Sequence, residues 1–565
     1  MREASAVKRK NIVRIATLYV VFVFIAAAIL AKLAQLQIVE HGRHARRAER
    51  NAVRSVPLPL VRGEIVDANG TIIALDLPRI RRVKFERGGE WEAENVGFEE
   101  ASVFMESARG PGRFVDTAPL RRYPLGELTA HVTGYLGEIS REELAKWRSV
   151  GYMPGDLVGK AGVEREYETR LTGGRGMRTV RLDARGRILP GSRVEHSTKG
   201  DTLTLTLDVR LQRAAVEAME GRKGAVVIMD VRTGGIVALV SVPAFDPGAL
   251  TGGVTGGAWS ELTGHPDHPL MNRAVSAAVP PGSVFKLVVA AGALEEGIAT
   301  PRTTFRCGGR FVMKGKVFQC WRPGGHGRID FETAVAQSCD VAFYQLGAAL
   351  GIERIKKYGR LFGFGSKTGI DLPGEAIGLL PDDEWKRRFR GEGWYDGDTV
   401  NASIGQGYVQ ATPLQMAVMT SAIAAGGMKV APRLVRGGGS APEKLPLSEE
   451  TLAFLKRGMR AAVTRGTCAG MKTFPAPTAA KTGTADDPPR EKPHAWFTGF
   501  VPADEPRLAW AVFVENGGTG AAAALPVART VLEKAFEIGY FKDYETAGDD
   551  SGGTTASAYA GRDGN

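Results

Sequence analysis

The sequence lacks the H-E-x-x-H pair of a zinc protease, the Walker A loop and the Rossmann glycine fingerprint, so no standard nucleotide or dinucleotide site is encoded. It has no internal repeat, which excludes solenoids and propellers. Cysteine is scarce, four in 565 residues, and three of the four lie within one stretch. Basic segments interleaved with aromatics are missing. The net charge of +12 would otherwise suggest nucleic acid, but residues 1–62 alone hold twelve Lys/Arg against three Asp/Glu. The excess sits beside the one long hydrophobic run, and the rest of the chain is close to neutral. A membrane explains the charge, and no nucleic-acid partner is expected.

What is present begins with that run, "IATLYVVFVFIAAAILA" (15–31), extended past Lys32 by Leu33, Ala34 and Leu36. It exceeds the apolar core of about 7–15 residues usual in a cleaved signal peptide, and no small-x-small cleavage site follows. A retained anchor over 15–36 is expected, with Lys32 reaching to the interface. Five basic residues precede the run (Arg2, Lys8, Arg9, Lys10, Arg14) and five follow it (Arg43, Arg46, Arg47, Arg50, Arg54), so flanking charge does not orient it. A 14-residue tail is small for a cytoplasmic domain, which places the bulk of the chain outside the cytoplasm. The length allows two or three domains with a sizeable core.

Residues 55–78 read as two strands around Asn69-Gly70, and 206–221 as a helix leading into a hairpin around "RTGG". The pattern gives a cytoplasmic tail (1–14), the anchor, a smaller α+β pedestal (40–205), a main domain (206–540) and a disordered tail (541–565). In the main domain, strands at both ends flank a long helical middle. An α+β fold is expected, one antiparallel sheet with a helical insert.

Within "VPPGSVFKLVVAAGAL" (279–294), Ser283 and Lys286 form S-x-x-K. If a helix starts after Pro281-Gly282, the lysine stands one turn from the serine hydroxyl. Its apolar neighbours would dry Lys286 and lower its pKa, making it a general base for the serine. The motif alone is weak, since about one is expected by chance in a chain this long; Ser5 and Lys8 form another. Two further elements raise it: Ser338-Cys339-Asp340, and Lys481-Thr482-Gly483-Thr484. Together these match the S-x-x-K, S-D-N and K-T-G set of penicillin-binding proteins and β-lactamases, with the second element differing at its last two positions. A second K-T-G at 367–369 lies between glycines and Pro373 and reads as a loop, whereas the run before Lys481 suits an edge strand.

Through "VPPGSVFKLVVA", "WRPGGHGRIDFETAVAQSCDVAFYQLG", "FGFGSKTGIDLPGE", "GDTVNASIGQGYVQATPLQMA", "AKTGTA" and, upstream, "RGEIVDANGTIIA" and "RRYPLGELTAHVTGYLGEIS", the chain resembles the class B penicillin-binding proteins, most closely their elongation-type branch. The resemblance covers most of 55–540. It implies a penicillin-binding/β-lactamase-like transpeptidase domain on a pedestal, anchored in the inner membrane with the catalytic domain periplasmic. The substrate would be peptidoglycan stem peptides ending in D-Ala-D-Ala. Ser283 would attack the penultimate D-Ala carbonyl, and Lys286 would take its proton. Ser338 would help shuttle that proton, with Asp340 supporting the wall. Lys481 and Thr482 would hold the substrate carboxylate beside Gly483, and the N–H groups of Ser283 and Thr484 would form the oxyanion hole. It further implies a polytopic SEDS-type glycosyltransferase and other elongation-complex proteins as partners. Two departures stand out: Asp340 replaces the Asn of most of the wider superfamily, a change this branch tolerates, and 79–120 is short for the membrane-proximal head.

Cys307, Cys320, His326 and Cys339 remain, spaced C-x12-C-x5-H-x12-C. They admit a Cys307–Cys320 disulfide in an oxidising compartment, or a tetrahedral Cys3His zinc site that would pin Cys339 and so position Ser338 and Asp340. Some members of this branch hold a metal in this region, though not with only these ligand types. His265 and His268 read as surface residues. Of the rival functions, a β-lactamase would need neither anchor nor pedestal, and residues 40–205 are short for a glycosyltransferase domain. A D,D-carboxypeptidase differs only in using water as acceptor. An inactive wall-binding scaffold would have no use for Lys286.

Overall fold

The structure is a computed structural model that describes residues 2–85, 91–107, 113–183, 188–251, 256–439, 441–489 and 492–542. The chain forms two compact units. The first comprises Met1–Val61, Leu77–Leu120 and Gly174–Thr198; the second comprises Arg62–Asp76, Arg121–Gly173 and Lys199–Asn565.

In the first unit, helix α1 (Arg2–Ala34) passes through a π-helical turn (Gln35–Val39) to helix α2 (His41–Ala52). Residues 2–14, expected as a tail, are thus helical, because neither Pro nor Gly interrupts 2–34. The stretch Ala4–Val39 is long and apolar enough to cross a membrane, and its apolar side chains are exposed. Beyond it, Val53–Pro57, Met177–Leu182 and Ile188–Glu195 make a three-stranded antiparallel sheet.

The second unit takes 62–76 and 121–173 out of the expected pedestal: Ile65, Ile73, Tyr123, Val132 and Val163 pack into the main-domain core, and long-range polar bonds tie the two segments together. Buried Arg62 pairs with Glu164 (2.8 Å) and Glu168 (2.7 Å), and Arg121 with Glu164 (2.7 Å). Tyr167 donates to Asp371 (2.7 Å), whose other oxygen accepts from the Leu434 N–H (2.6 Å). No spacing in the sequence signals these partners. The turn at Asn69-Gly70 is held by the Asp67 carboxylate, which accepts from the N–H groups of Asn69 and Thr71.

The main sheet is built from β1 (Gly224–Asp230), β2 (Ile236–Val242), β3 (Ala479–Ala485), β4 (His494–Val501) and β5 (Leu508–Val514). Its order is β2-β1-β5-β4-β3, antiparallel throughout, and strands from the two ends of the domain meet where Gly224 pairs with Val514. Helix α3 (Val209–Met219), capped by Asp208, and helix α8 (Leu525–Glu537) share one face with Val226, Ile228, Trp510 and Val512. Four helices contribute to the core on the other side with Ala225, Val227 and Met229: α4 (Lys286–Glu295), α5 (Asp340–Leu350), α6 (Pro413–Ala424) and α7 (Glu449–Arg465). Both faces are buried, so the strands read as near-continuous apolar runs rather than alternating ones. Phe541, assigned to the tail from sequence, is buried beside Phe536. The tail from 543 onward lies outside the described residues.

Candidate active site

Ser283 sits in a short 3-10 turn, Gly282–Val284, and α4 starts only at Lys286. The S-x-x-K motif is therefore split between turn and helix rather than lying within one helix as expected. Pro280 and Pro281 deny the chain earlier helical N–H groups. Gly282 has φ +56°, and a Cβ there would lie 2.5 Å from the Thr484 carbonyl oxygen on β3. Only glycine lets the serine turn approach the strand so closely. The Gly282 N–H donates to the Gly405 carbonyl (2.9 Å), and the indole N–H of Trp496 donates to that of Pro280 (2.9 Å), fixing the turn from two sides.

Lys286 is fully buried, as its greasy neighbours imply, but it is not alone. Its ammonium donates to Asp340 Oδ1 (2.6 Å), the Ser338 carbonyl (2.9 Å) and Ser338 Oγ (3.3 Å), and lies over the Phe343 ring at 5.4 Å. Ser338 holds a left-handed backbone (φ 54°) that few non-glycine residues adopt, strain of the kind stored at functional sites. Lys481, also fully buried, donates to Ser338 Oγ (2.8 Å) and to the Thr482 carbonyl (2.9 Å). Burial, then the charge of Lys286, holds Lys481 down at about 7. Ser338 Oγ thus bridges two lysines, an arrangement able to pass a proton between them.

The strand carrying Lys481–Thr484 is the sheet's edge strand β3, while 367–369 lies in a loop where Thr368 bonds Glu375. Thr482 Oγ1 meets Thr467 Oγ1 at 2.7 Å, and Gly483 packs against Val284 and Pro281. The Gln406 side chain reaches the Thr484 carbonyl at 3.5 Å. Three contributors escaped the sequence reading: Thr467, Gln406 and Trp321. The backbone N–H of Trp321 donates to Asp340 Oδ2 (2.8 Å), so both oxygens of that carboxylate are engaged. A backbone donor leaves no mark in residue type, and nothing in the sequence pointed to it.

Cys339 caps α5 between Ser338 and Asp340. Its thiol gathers with those of Cys307 and Cys320 and with the His326 ring, the ligand atoms all lying within 4.8 Å of one another. All four cysteines of the chain are free and buried, so the Cys307–Cys320 disulfide is not formed. His326 Nδ1 faces the sulfurs of Cys307 (3.5 Å) and Cys320 (3.6 Å), while its Nε2 is buried without a partner. A hydrogen bond from Cys339 holds the Cys320 thiol below its ordinary value. Three thiols and an imidazole at this separation fit a soft or borderline divalent ion.

Residues 224–533 match the penicillin-binding protein transpeptidase domain model, and 91–205 the penicillin-binding protein dimerisation domain model. The chain belongs to the penicillin-binding transpeptidase family. Among relatives of this penicillin-binding protein, the peptidoglycan D,D-transpeptidase MrdA of Acinetobacter baumannii is 35% identical over 89% of this chain and 84% of its own. MrdA of Escherichia coli K12 is 30% identical over 88% and 90%. Among solved structures, PBP2 of Helicobacter pylori in complex with MreC superposes with a TM-score of 0.79 at 28% identity, covering 86% of this chain and all of that one. A chain from a peptidoglycan synthase complex that coordinates polymerization and crosslinking gives 0.75 at 33% identity, covering 93% and 98%.

Proposed function

We propose that this penicillin-binding protein is a membrane-anchored peptidoglycan D,D-transpeptidase that cross-links stem peptides during cell-wall elongation and is inhibited by β-lactams. The observation that carries the mechanism is the buried chain Lys481–Ser338–Lys286–Asp340, whose Lys286 follows Ser283 by three residues at the turn-to-helix junction. Ser283 Oγ attacks the carbonyl of the penultimate D-Ala as its proton passes to Lys286 in its neutral, deprotonated form. The tetrahedral oxyanion is met by the N–H groups of Ser283 and Thr484, and the terminal D-Ala leaves with a proton relayed through Ser338. Lys481, Thr482 and Gly483 hold the terminal carboxylate along the edge strand. An amine from a neighbouring stem then releases the acyl-enzyme; water as acceptor would make the same site a D,D-carboxypeptidase.

Helix α1 serves as a single-pass anchor in the inner membrane with the catalytic unit periplasmic, beside a SEDS-type glycosyltransferase and elongation-complex proteins. The relatives solved with MreC and in a synthase complex support that setting. Cys307, Cys320, His326 and Cys339 are proposed to hold a structural zinc, which would supply tetrahedral bracing to the wall carrying Ser338 and Asp340.

Labelling with a fluorescent penicillin tests the reading. Wild type should label covalently, whereas Ser283→Ala and Lys286→Ala should not, with thermal unfolding still cooperative. Wild type labelling no better than Ser283→Ala would leave a non-catalytic scaffold; normal labelling of Lys286→Ala would mean the base is another group.

A further inference from the structure

Helix α2 starts immediately after the span and carries Arg43, Arg46 and Arg47 at i, i+3 and i+4, with Arg50 following at i+7 in the sequence. At 100° per residue the first three positions fall within an arc of about 100°, so Arg43, Arg46 and Arg47 form one stripe. No acidic residue shares that arc within the helix; Glu49 lies off it and faces Arg181 at 3.9 Å. The opposite side carries Ala45, Ala48 and Ala52, too small to form an apolar docking face. Arg43, Arg46 and Arg47 are all exposed, and Arg46 bonds only its own helix, at the Gly42 carbonyl (3.0 Å).

The position of the stripe is as informative as its sign. Val39 ends the apolar stretch, and at about 1.5 Å per residue Arg43 follows it by about 6 Å of chain rise. The headgroup region extends roughly 5–8 Å beyond the hydrocarbon core, and an arginine side chain reaches several more. Ile38 and Val39, both exposed, are the last apolar residues before the stripe. With the catalytic unit outside the cytoplasm, these arginines also run against the positive-inside tendency, which gives them no topological use where they stand.

We propose that the arginine stripe of α2 binds the phosphodiester headgroups of anionic glycerophospholipids in the leaflet on the catalytic side. It would set the height and tilt at which the chain leaves the membrane. A guanidinium pairs with two phosphate oxygens at once, and a row of them matches a row of headgroups. The attraction of each arginine to an anionic surface is modest, so the stripe enriches such lipids without holding one molecule tightly.

The proposal rests on α1 spanning the bilayer, which flotation with vesicles after an alkaline wash reports separately; a chain that washes off overturns anchor and proposal together. The test reconstitutes the full chain in phosphatidylcholine bilayers and compares spin-labelled phosphatidylglycerol with spin-labelled phosphatidylcholine. In wild type the motionally restricted fraction should favour phosphatidylglycerol about threefold or more, and about 0.5 M salt should bring the ratio close to one. Arg43→Gln/Arg46→Gln/Arg47→Gln should lose the preference while keeping wild-type flotation and penicillin labelling. Equal fractions in wild type, or a preference that survives the triple substitution, would overturn the proposal. Loss of the preference to millimolar inorganic phosphate at constant ionic strength would do the same, marking a free-phosphate site. So would an absent preference combined with loss of an acidic protein partner in the triple variant.

Discussion

Asp340→Asn is the most informative single substitution, because it restores the residue that most of the wider superfamily carries. Here the carboxylate accepts twice, from Lys286 Nζ at 2.6 Å and from the Trp321 N–H at 2.8 Å. An amide has one acceptor oxygen, so whichever way the substituted side chain is turned, its NH2 faces one of these donors. A lost hydrogen bond involving a charged group costs about 1.5–3 kcal/mol, more where the stranded group is buried, and Lys286 is fully buried. If that cost falls on the acylation-competent arrangement, the second-order rate of acylation drops about 10- to 100-fold. Asp340→Ala strands both donors and should cost about 3–5 kcal/mol. Stopped-flow acylation with a fluorescent penicillin, alongside thermal unfolding, should rank wild type above the asparagine variant, and that variant above the alanine one, in both readouts. If Asp340→Asn acylates at the wild-type rate with an unchanged midpoint, the second oxygen has no task and the reasoning fails.

Lys481 is held at about 7 against an ordinary 10.5, so between those values the unfolded chain binds a proton there that the folded chain does not. The stability penalty is full below about pH 7 and fades toward pH 10.5; the midpoint advantage of Lys481→Met over wild type should therefore shrink as pH rises, and a pH-independent difference would contradict it. Gly282→Ala would put a Cβ 2.5 Å from the Thr484 oxygen at φ +56°, and should cost about 2 kcal/mol or more with loss of acylation. A fully acylating alanine variant would show that the turn can move away from the strand. Purified protein should carry about one equivalent of zinc, and chelation should lower its thermal midpoint but not that of Cys339→Ser. Elemental analysis finding less than about half an equivalent, with the thiols oxidised, would end the zinc reading.

Much of this was legible in the chain. The long apolar helix of 4–39 followed from one apolar run, the hairpin strands β1 and β2 from β-branched runs around "RTGG", and the three motifs from residue type and spacing. These are local properties: an unbroken apolar run gives a helix long enough to cross a membrane, and a strand or helix carries its own periodicity. The glycine-flanked 367–369 and the straight run before Lys481 also differed in ways visible without a fold. The domain boundaries were less legible, since Arg62 and Arg121 join the second unit through Glu164, whose role no neighbouring residue announces.

Sequence by itself determined which side chains are available for the proposed chemistry: Ser283, Lys286, Ser338, Asp340 and Lys481, and the Cys3His group beside them. Tertiary structure alone decided what state those side chains are in. Lys286 was expected as a dry amine hydrogen-bonded to Ser338, and it is dry and reaches Ser338 but is also tied to a carboxylate across 54 positions of chain. Lys481 was expected to hold the substrate carboxylate, and in the structure it also shares the Ser338 hydroxyl with Lys286 and is held low by burial and by that neighbour. The physical reason is that burial and proximity of charge are properties of a packed interior, summed over groups far apart in sequence. Residue spacing encodes which groups can meet along one element, but not the dielectric or the partners they find when elements pack.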